Sequence, residues 1–290
     1  MVSHVNWLCF FFLLGPGAWA SESILEVHLS QHSVTGTLTF TQLSPGEQVR
    51  IEADLKVARE YKGEYSWGIY EFPIDYSTEE FCHSRMLGRK PILNLDTSLN
   101  KLPLDEPEAT EDPIISVKLT YTSPKFNLTG QNAVWGRALV LEGPSRSRTC
   151  GSLMPRNVNL RTAEARFTSP VAGSVWFTSA GQETKIFTNL VHVTGDKGSS
   201  NHRWQLFITD VLDTYSDIQG SGCDFLQILY DTKTRGTGEG CSEDQPEKCQ
   251  EGDLAGKFGN VKVSRRESMF TKSYFHDTNL PLPDLEGTSR

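Results

Sequence analysis

Val34–Thr41, VTGTLTFT, and Val171–Thr178, VAGSVWFT, follow one pattern, V-x-G-x-[LV]-x-F-T. The apolar positions fall on every second residue, the period of a strand with one buried face. The glycine breaks that face where a bulge or a close backbone approach is needed. A turn holding Gly46 or Gly181 follows each copy, and then a second alternating stretch, Val49–Leu55 or Thr184–Leu190. Trp67 lies 33 residues after Val34, and Trp204 lies 33 after Val171; Cys82 and Cys223 follow the two tryptophans. Chance is a poor explanation for the ordered set, so the chain reads as two related units of about 130 residues.

Both units read as all-β. Short runs rich in Val, Ile, Thr, Phe and Tyr alternate with clusters of Gly, Pro, Asn and Asp. The predicted strands include Ile114–Tyr121, Ala133–Leu141, Trp204–Asp210 and Lys257–Val263, and no segment holds a helical period over three turns. The expected division is a first unit over 24–150, a linker over 151–162 and a second unit over 163–290. With 290 residues, 37% hydrophobic and 22% charged, the chain can bury a core for each. A net charge of -8 without a long basic run argues against nucleic acid or an anionic membrane as partner.

Residues 1–20, MVSHVNWLCFFFLLGPGAWA, read as a secretory signal peptide, with Ala18 and Ala20 at the cleavage site. The apolar run Trp7–Leu14 is too short to cross a bilayer, which takes about 20 residues, so no transmembrane segment is expected. The expected location is extracellular. Cys9 leaves with the signal. The mature chain then carries Cys82, Cys150, Cys223, Cys241 and Cys249, an odd number in an oxidising compartment.

WGIYEFP (67–73), VWGRALVLE (134–142) and CQEGDLAGKFG (249–259), with the opening strand pattern, resemble the copper/zinc superoxide dismutase family. The likeness is nearest to its extracellular copper-only repeat proteins, which typically show W-H-x-H-E-F-P, G-R-S-x-V-x-H and G-D-L-x-G-K-x-G. The resemblance covers most of residues 30–290 and implies two tandem Greek-key β-barrels of the sandwich type. It also implies copper held by imidazoles, and there the sequence departs from the family. The H-x-H pair falls on Gly68 and Tyr70 in the first unit and on Gln205 and Phe207 in the second. The histidine that ends the family's G-R-S-x-V-x-H strand is replaced by Glu142, and none stands near Arg89 or Leu229. Imidazole suits copper in both oxidation states, and these replacements do not.

The mature histidines, His28, His32, His83, His192, His202 and His276, form no H-x-H pair. His28 and His32 would lie about 13 Å apart along a strand, too far for one metal. His202 reads as a solvated or hydrogen-bonded histidine at the entrance to a strand. A Tyr70–Glu142 pair falls short of the six to eight oxygens that calcium takes. Arg148 resembles the family's substrate-guiding arginine, one residue short in its spacing to Cys150, and without copper it reads as a structural cation. No G-x-S-x-G, H-E-x-x-H or P-loop occurs, and the acidic neighbours of GTGEG (236–240) argue against phosphate binding.

The resemblance pairs Cys82 with Cys150. Closing a loop of 68 residues is worth roughly 4 kcal/mol in the chain-entropy account. Cys241 and Cys249, eight apart in a polar loop, read as a local disulfide, which leaves Cys223 unpaired. Its partner is expected after a second G-R strand, but after Asn279-Leu280-Pro281 the sequence reaches Arg290 without one. The second barrel is therefore expected to lack its last strand. A truncated form, intermolecular pairing through Cys223 and strand exchange with another chain compete as explanations; truncation accounts for the missing strand and cysteine together. Asn127-Leu128-Thr129 is the one glycosylation sequon.

The expected function is that of a secreted superoxide dismutase-like repeat protein without catalytic copper or another cofactor. It would be an interaction or structural module for an unknown extracellular protein or cell-surface partner. The alternative is a copper-dependent superoxide dismutase with unorthodox or missing ligands. A carbohydrate- or cell-surface-binding β-sandwich explains secretion but not WGIYEFP with GDLAGKFG.

Overall fold

The computed structural model describes residues 22–31, 33–76, 79–88, 92, 101–104, 112–123, 126–130, 133–193, 198–208, 228–233, 239–265 and 271–283. Residues 1–20, expected to be a signal peptide, and His32, Arg89 and Cys223 lie outside them. The fold is all-β. The first half forms β1 (Ser23–Ser30), β2 (Val34–Gln42), β3 (Val49–Ala58), β4 (Gly63–Tyr70), β5 (Lys101–Leu104), β6 (Ile114–Ser123), β7 (Ala138–Glu142), β8 (Arg148–Ser152) and β9 (Met154–Pro155). They make a sheet in the order β6-β3-β2-β1-β9 and a second in the order β5-β4-β7-β8. Leu38, Phe40, Ile51 and Leu55 from the first sheet meet Trp67, Ile69, Leu139 and Leu141 from the second in one buried core.

The second half forms β10 (Leu160–Phe167), β11 (Val171–Ala180), β12 (Glu183–His192), β13 (Ser199–His202), β14 (Phe207–Ile208), β15 (Ile228–Leu229), β16 (Val261–Arg265) and β17 (Thr271–Asp277). Here β10-β11-β12 runs antiparallel, with β17 paired to β12 as β6 pairs to β3. The repeat extends to single residues: Gly36 lies opposite Leu55, and Gly173 opposite Leu190. Both glycines have positive φ, +130° and +116°, and a Cβ at either would strike the carbonyl oxygen of Asp54 or Asn189 on the next strand. Glycine is required there because the two backbones are in contact.

Three predicted strands differ from those observed. Ala133–Leu141 is strand only from Ala138, because Gly136 turns the chain at φ +81°. Lys257 lies not in a strand but in a one-turn helix, α2 (Leu254–Phe258), following the four-residue α1 (Ser84–Leu87) in chain order. The Asp253 side chain accepts the Gly256 N–H to start α2, and Gly259 at φ +75° ends it. Of Trp204–Asp210, only Phe207–Ile208 is assigned as strand among the described residues. The Trp204 carbonyl accepts from Ala255, and Leu206 donates to Gly252, so the loop of the GDLAGKFG motif takes these bonds. The stretch 151–162 is largely strand: it holds the end of β8, β9 paired to β1, and the start of β10.

Strand β12 is covered on both faces. Ile186 and Leu190 enter the second core with Val175 and Phe177. On the opposite face Phe187 stacks on Trp176 at 5.4 Å and meets Phe72 of the first half at 5.9 Å. Lys185, 3% exposed, stands with Nζ 4.8 Å from the Trp135 ring centre, and that amine makes no hydrogen bond with the described residues. Around it Trp135 Nε1 donates to Glu183 at 3.1 Å, and Tyr274 Oη donates to the Trp135 carbonyl at 3.1 Å. The Arg137 guanidinium lies 4.7 Å over the Tyr274 ring. The hydrogen bond with His276 at 3.2 Å holds the Glu183 carboxyl below its ordinary pKa.

Lys257 Nζ donates to Asp277 at 2.7 Å and to the Glu251 carbonyl at 2.8 Å, both carboxylate and amine being almost fully buried. Lys257→Met leaves Asp277 charged and without that ammonium, so chemical denaturation is expected to show a loss of about 3–5 kcal/mol. Desolvation lowers the Lys185 pKa from 10.5 to about 7. Between those values the unfolded chain binds a proton that the folded chain has released, so this residue makes stability rise with pH across that window. The difference in unfolding free energy between wild type and Lys185→Met is expected to favour the variant at pH 7 and to shrink by pH 10.

Candidate functional site

The positions that the resemblance assigns to metal ligands lie on β4 and β7. These strands pair with Gly68 opposite Val140, Tyr70 opposite Ala138 and Ser66 opposite Glu142. Alternation sends Trp67 and Ile69 into the core, so Gly68 and Tyr70 face the other way. That outer face is not open. Tyr70, Ile74, Leu87, Ala138, Val140 and Cys150 form a separate apolar cluster, with Phe81, Cys82 and Met86 packed against it. The loop and helix α1 that follow β4 cover the face, and the Cys82–Cys150 disulfide ties them to β8.

The donors present fit copper poorly. Gly68 supplies no side chain. Tyr70 is 8% exposed; burial raises its pKa, which keeps the phenol protonated at neutral pH, although nearby Arg148 pulls the other way. Glu142 is engaged by Arg148 at 3.2 Å across the β7–β8 pair. A carboxylate already neutralised by a guanidinium and a protonated phenol do not replace a cluster of imidazoles.

In the second half, Gln205 Nε2 donates to Asp253 at 3.2 Å, and Phe207 pairs with Leu229 across β14 and β15. The histidines are dispersed. His28 contacts Thr37 at 3.2 Å, His83 caps α1 by accepting the Arg85 N–H, and His202 contacts Ser199 at 2.7 Å. His202 ends β13 rather than entering a strand, and His192 ends β12 with its Nδ1 buried. His276 belongs to the Glu183 junction. Among the described residues no three of His, Cys, Asp and Glu converge on one point.

Cys241 and Cys249 form the second disulfide, beside α2. Asn127 is partly exposed, its Oδ1 accepting the Gly46 N–H at 3.1 Å. Glu239 and Gly240 of the glycine-rich loop lie in a turn, and residues 236–238 are outside the described set. Sequence reasoning missed the groups buried between the halves. The alternation of β12 placed Lys185 on the face opposite Ile186, yet gave no sign that another sheet would cover it. Lys257 stood inside the quoted GDLAGKFG motif, but nothing local marked Asp277 as its partner.

No family model matches the chain, and no curated protein matches it. Solved structures that match include Superoxide Dismutase 5 of Candida albicans. Two of its mutants and its Cu(II) form align at 16% identity with TM-scores of 0.31–0.32. They cover 47–48% of this chain and 92–94% of theirs. Such values do not extend to chemistry, and the copper is a property of that protein.

The two disulfides use four of the six cysteines; removal of Cys9 with residues 1–20 would leave Cys223 as the one remaining thiol of a monomer. Alkylation of the denatured, unreduced secreted monomer is expected to label one cysteine per chain, which peptide mapping places at Cys223. Two labels would mean that Cys9 is retained, and three that a disulfide is open.

Proposed function

We propose that the chain is a secreted superoxide dismutase-like repeat protein that serves as an extracellular interaction or structural module and does not use copper. The observation that carries this reading is the filled outer face of β4 and β7. Tyr70, Ala138 and Val140 pack there beneath Leu87 and the disulfide-anchored loop, and Glu142 is held by Arg148. A dismutase needs a redox metal open to a small anion, whereas this face offers buried apolar side chains. The signal segment, the two disulfides and the sequon at Asn127 support secretion. Cys223 supplies a thiol through which two chains could be linked.

Copper loading tests the reading. The purified secreted protein, incubated with Cu(II) and desalted, is expected to retain far less than one copper per chain by elemental analysis and to leave superoxide decay unchanged. Stoichiometric copper with superoxide-dependent turnover would establish the alternative, a copper dismutase with unorthodox ligands.

A further inference from the structure

Counted back from the leucine that faces each repeated glycine, Lys185 of β12 corresponds to Arg50 of β3, and Phe187 to Glu52. In the first half this pair is exposed and complete, with Arg50 meeting Glu52 at 2.7 Å. The second half keeps the cation but has an aromatic ring in place of its acceptor. It also buries the cation: Lys185 is 3% exposed, and its Nζ makes no hydrogen bond with the described residues. A buried polar group without a partner is rare in folded proteins and calls for a physical reason.

The charged groups around the amine do not supply the acceptor. Glu183, on the same strand, attracts it without bonding to it, and Glu183 Oε2 is held by Trp135 and His276. Arg137 of the first half adds a second positive charge, and burial keeps the Tyr274 phenol of β17 protonated. Burial then brings the Lys185 pKa to about 7. The residue borders a cavity of about 280 Å³ between the halves. Ile74 and Met154 of the first half and Trp176 and Phe187 of the second give apolar walls. Ser152, Thr178 and Tyr274 add hydroxyls, and the charge of Asp75, also on the wall, acts on Lys272. The lysine stem passes Gly136, another wall residue, before its amine reaches the Trp135 ring. Small molecules bind in such junction cavities, apolar with a few polar groups and one perturbed titratable side chain. A cavity of roughly 150 Å³ holds benzene, so this one admits about ten non-hydrogen atoms.

We propose that this cavity binds the anion of a small apolar carboxylic acid, whose carboxylate takes the acceptor place that Glu52 fills in the first half. The apolar body of the ligand lies among Ile74, Met154, Trp176 and Phe187. The flexible stem of Lys185 turns the amine from the indole toward the carboxylate. Pairing favours the ammonium, so the anion binds together with a proton wherever the free amine is neutral. The proposal goes beyond the interaction-module reading and does not depend on it.

The probes are octanoate and 3-phenylpropanoate, one aliphatic and one aromatic, titrated into the purified secreted protein by calorimetry. Saturable one-to-one binding is expected for at least one of them. Repeated in buffers of different ionisation enthalpy, the titration should show uptake of about one proton at pH 8 and little at pH 6, where the amine is already charged. The matching amide should bind about tenfold more weakly or worse, and so should the acid to Lys185→Met, whose fold circular dichroism should show intact. The amide comparison and the proton count use the natural chain and decide the matter even if that variant misfolds. Absence of binding by both acids overturns the proposal. So does binding without proton uptake, or binding that Lys185→Met leaves unchanged, either of which places the acid elsewhere. An amide that binds as tightly as its acid also overturns it, marking an apolar cavity indifferent to charge.

Discussion

Strand β12 is largely buried on both faces, and much of the molecule is arranged around that fact. One face closes the second core through Ile186 and Leu190, while the other presents Lys185 and Phe187 to the first half. A strand buried on both sides cannot shift its register by one residue without exchanging its apolar and polar sets. The register of β11 and β17, which flank β12, is therefore fixed from two directions. The junction is not purely apolar: an amine over an indole, a guanidinium over a phenol and a carboxylate between Trp135 and His276 lie together. Such groups are costly to desolvate, which their mutual contacts offset in part.

The same double burial governs the chemistry of the first half. β4 and β7 face the core on one side and the Tyr70 cluster on the other. The loop that covers the second side is held by the Cys82–Cys150 disulfide, so the cross-link also keeps the face closed. Glu142 and Arg148 satisfy one another at the edge of this cluster. The result is a layer of packed apolar side chains on that side of β4 and β7.

The second half carries its polar bonding differently. Asp253 caps α2 and receives Gln205, Lys257 binds Asp277, and Glu251 accepts from the backbone and hydroxyl of Thr232. These links gather the GDLAGKFG loop, the Trp204 segment and β17 into one network.

The sequence alone determined the strand periodicity, the repeat and the identity of the groups at the ligand positions. These are local properties: alternation follows from the strand period, and a glycine at Gly36 and Gly173 marks a backbone contact that no other residue allows. It also determined that Gly68, Tyr70 and Glu142 stand where the resemblance expects imidazoles. Strand boundaries near Gly136 and Lys257 were decided by turn and cap geometry, which hydrophobic alternation does not register. Only the tertiary structure decided that the Tyr70 face is covered, that Lys185 is buried against Trp135 and that Lys257 meets Asp277. Each of those depends on which surfaces distant segments bring together, and burial is a property of the pair of surfaces and not of either sequence.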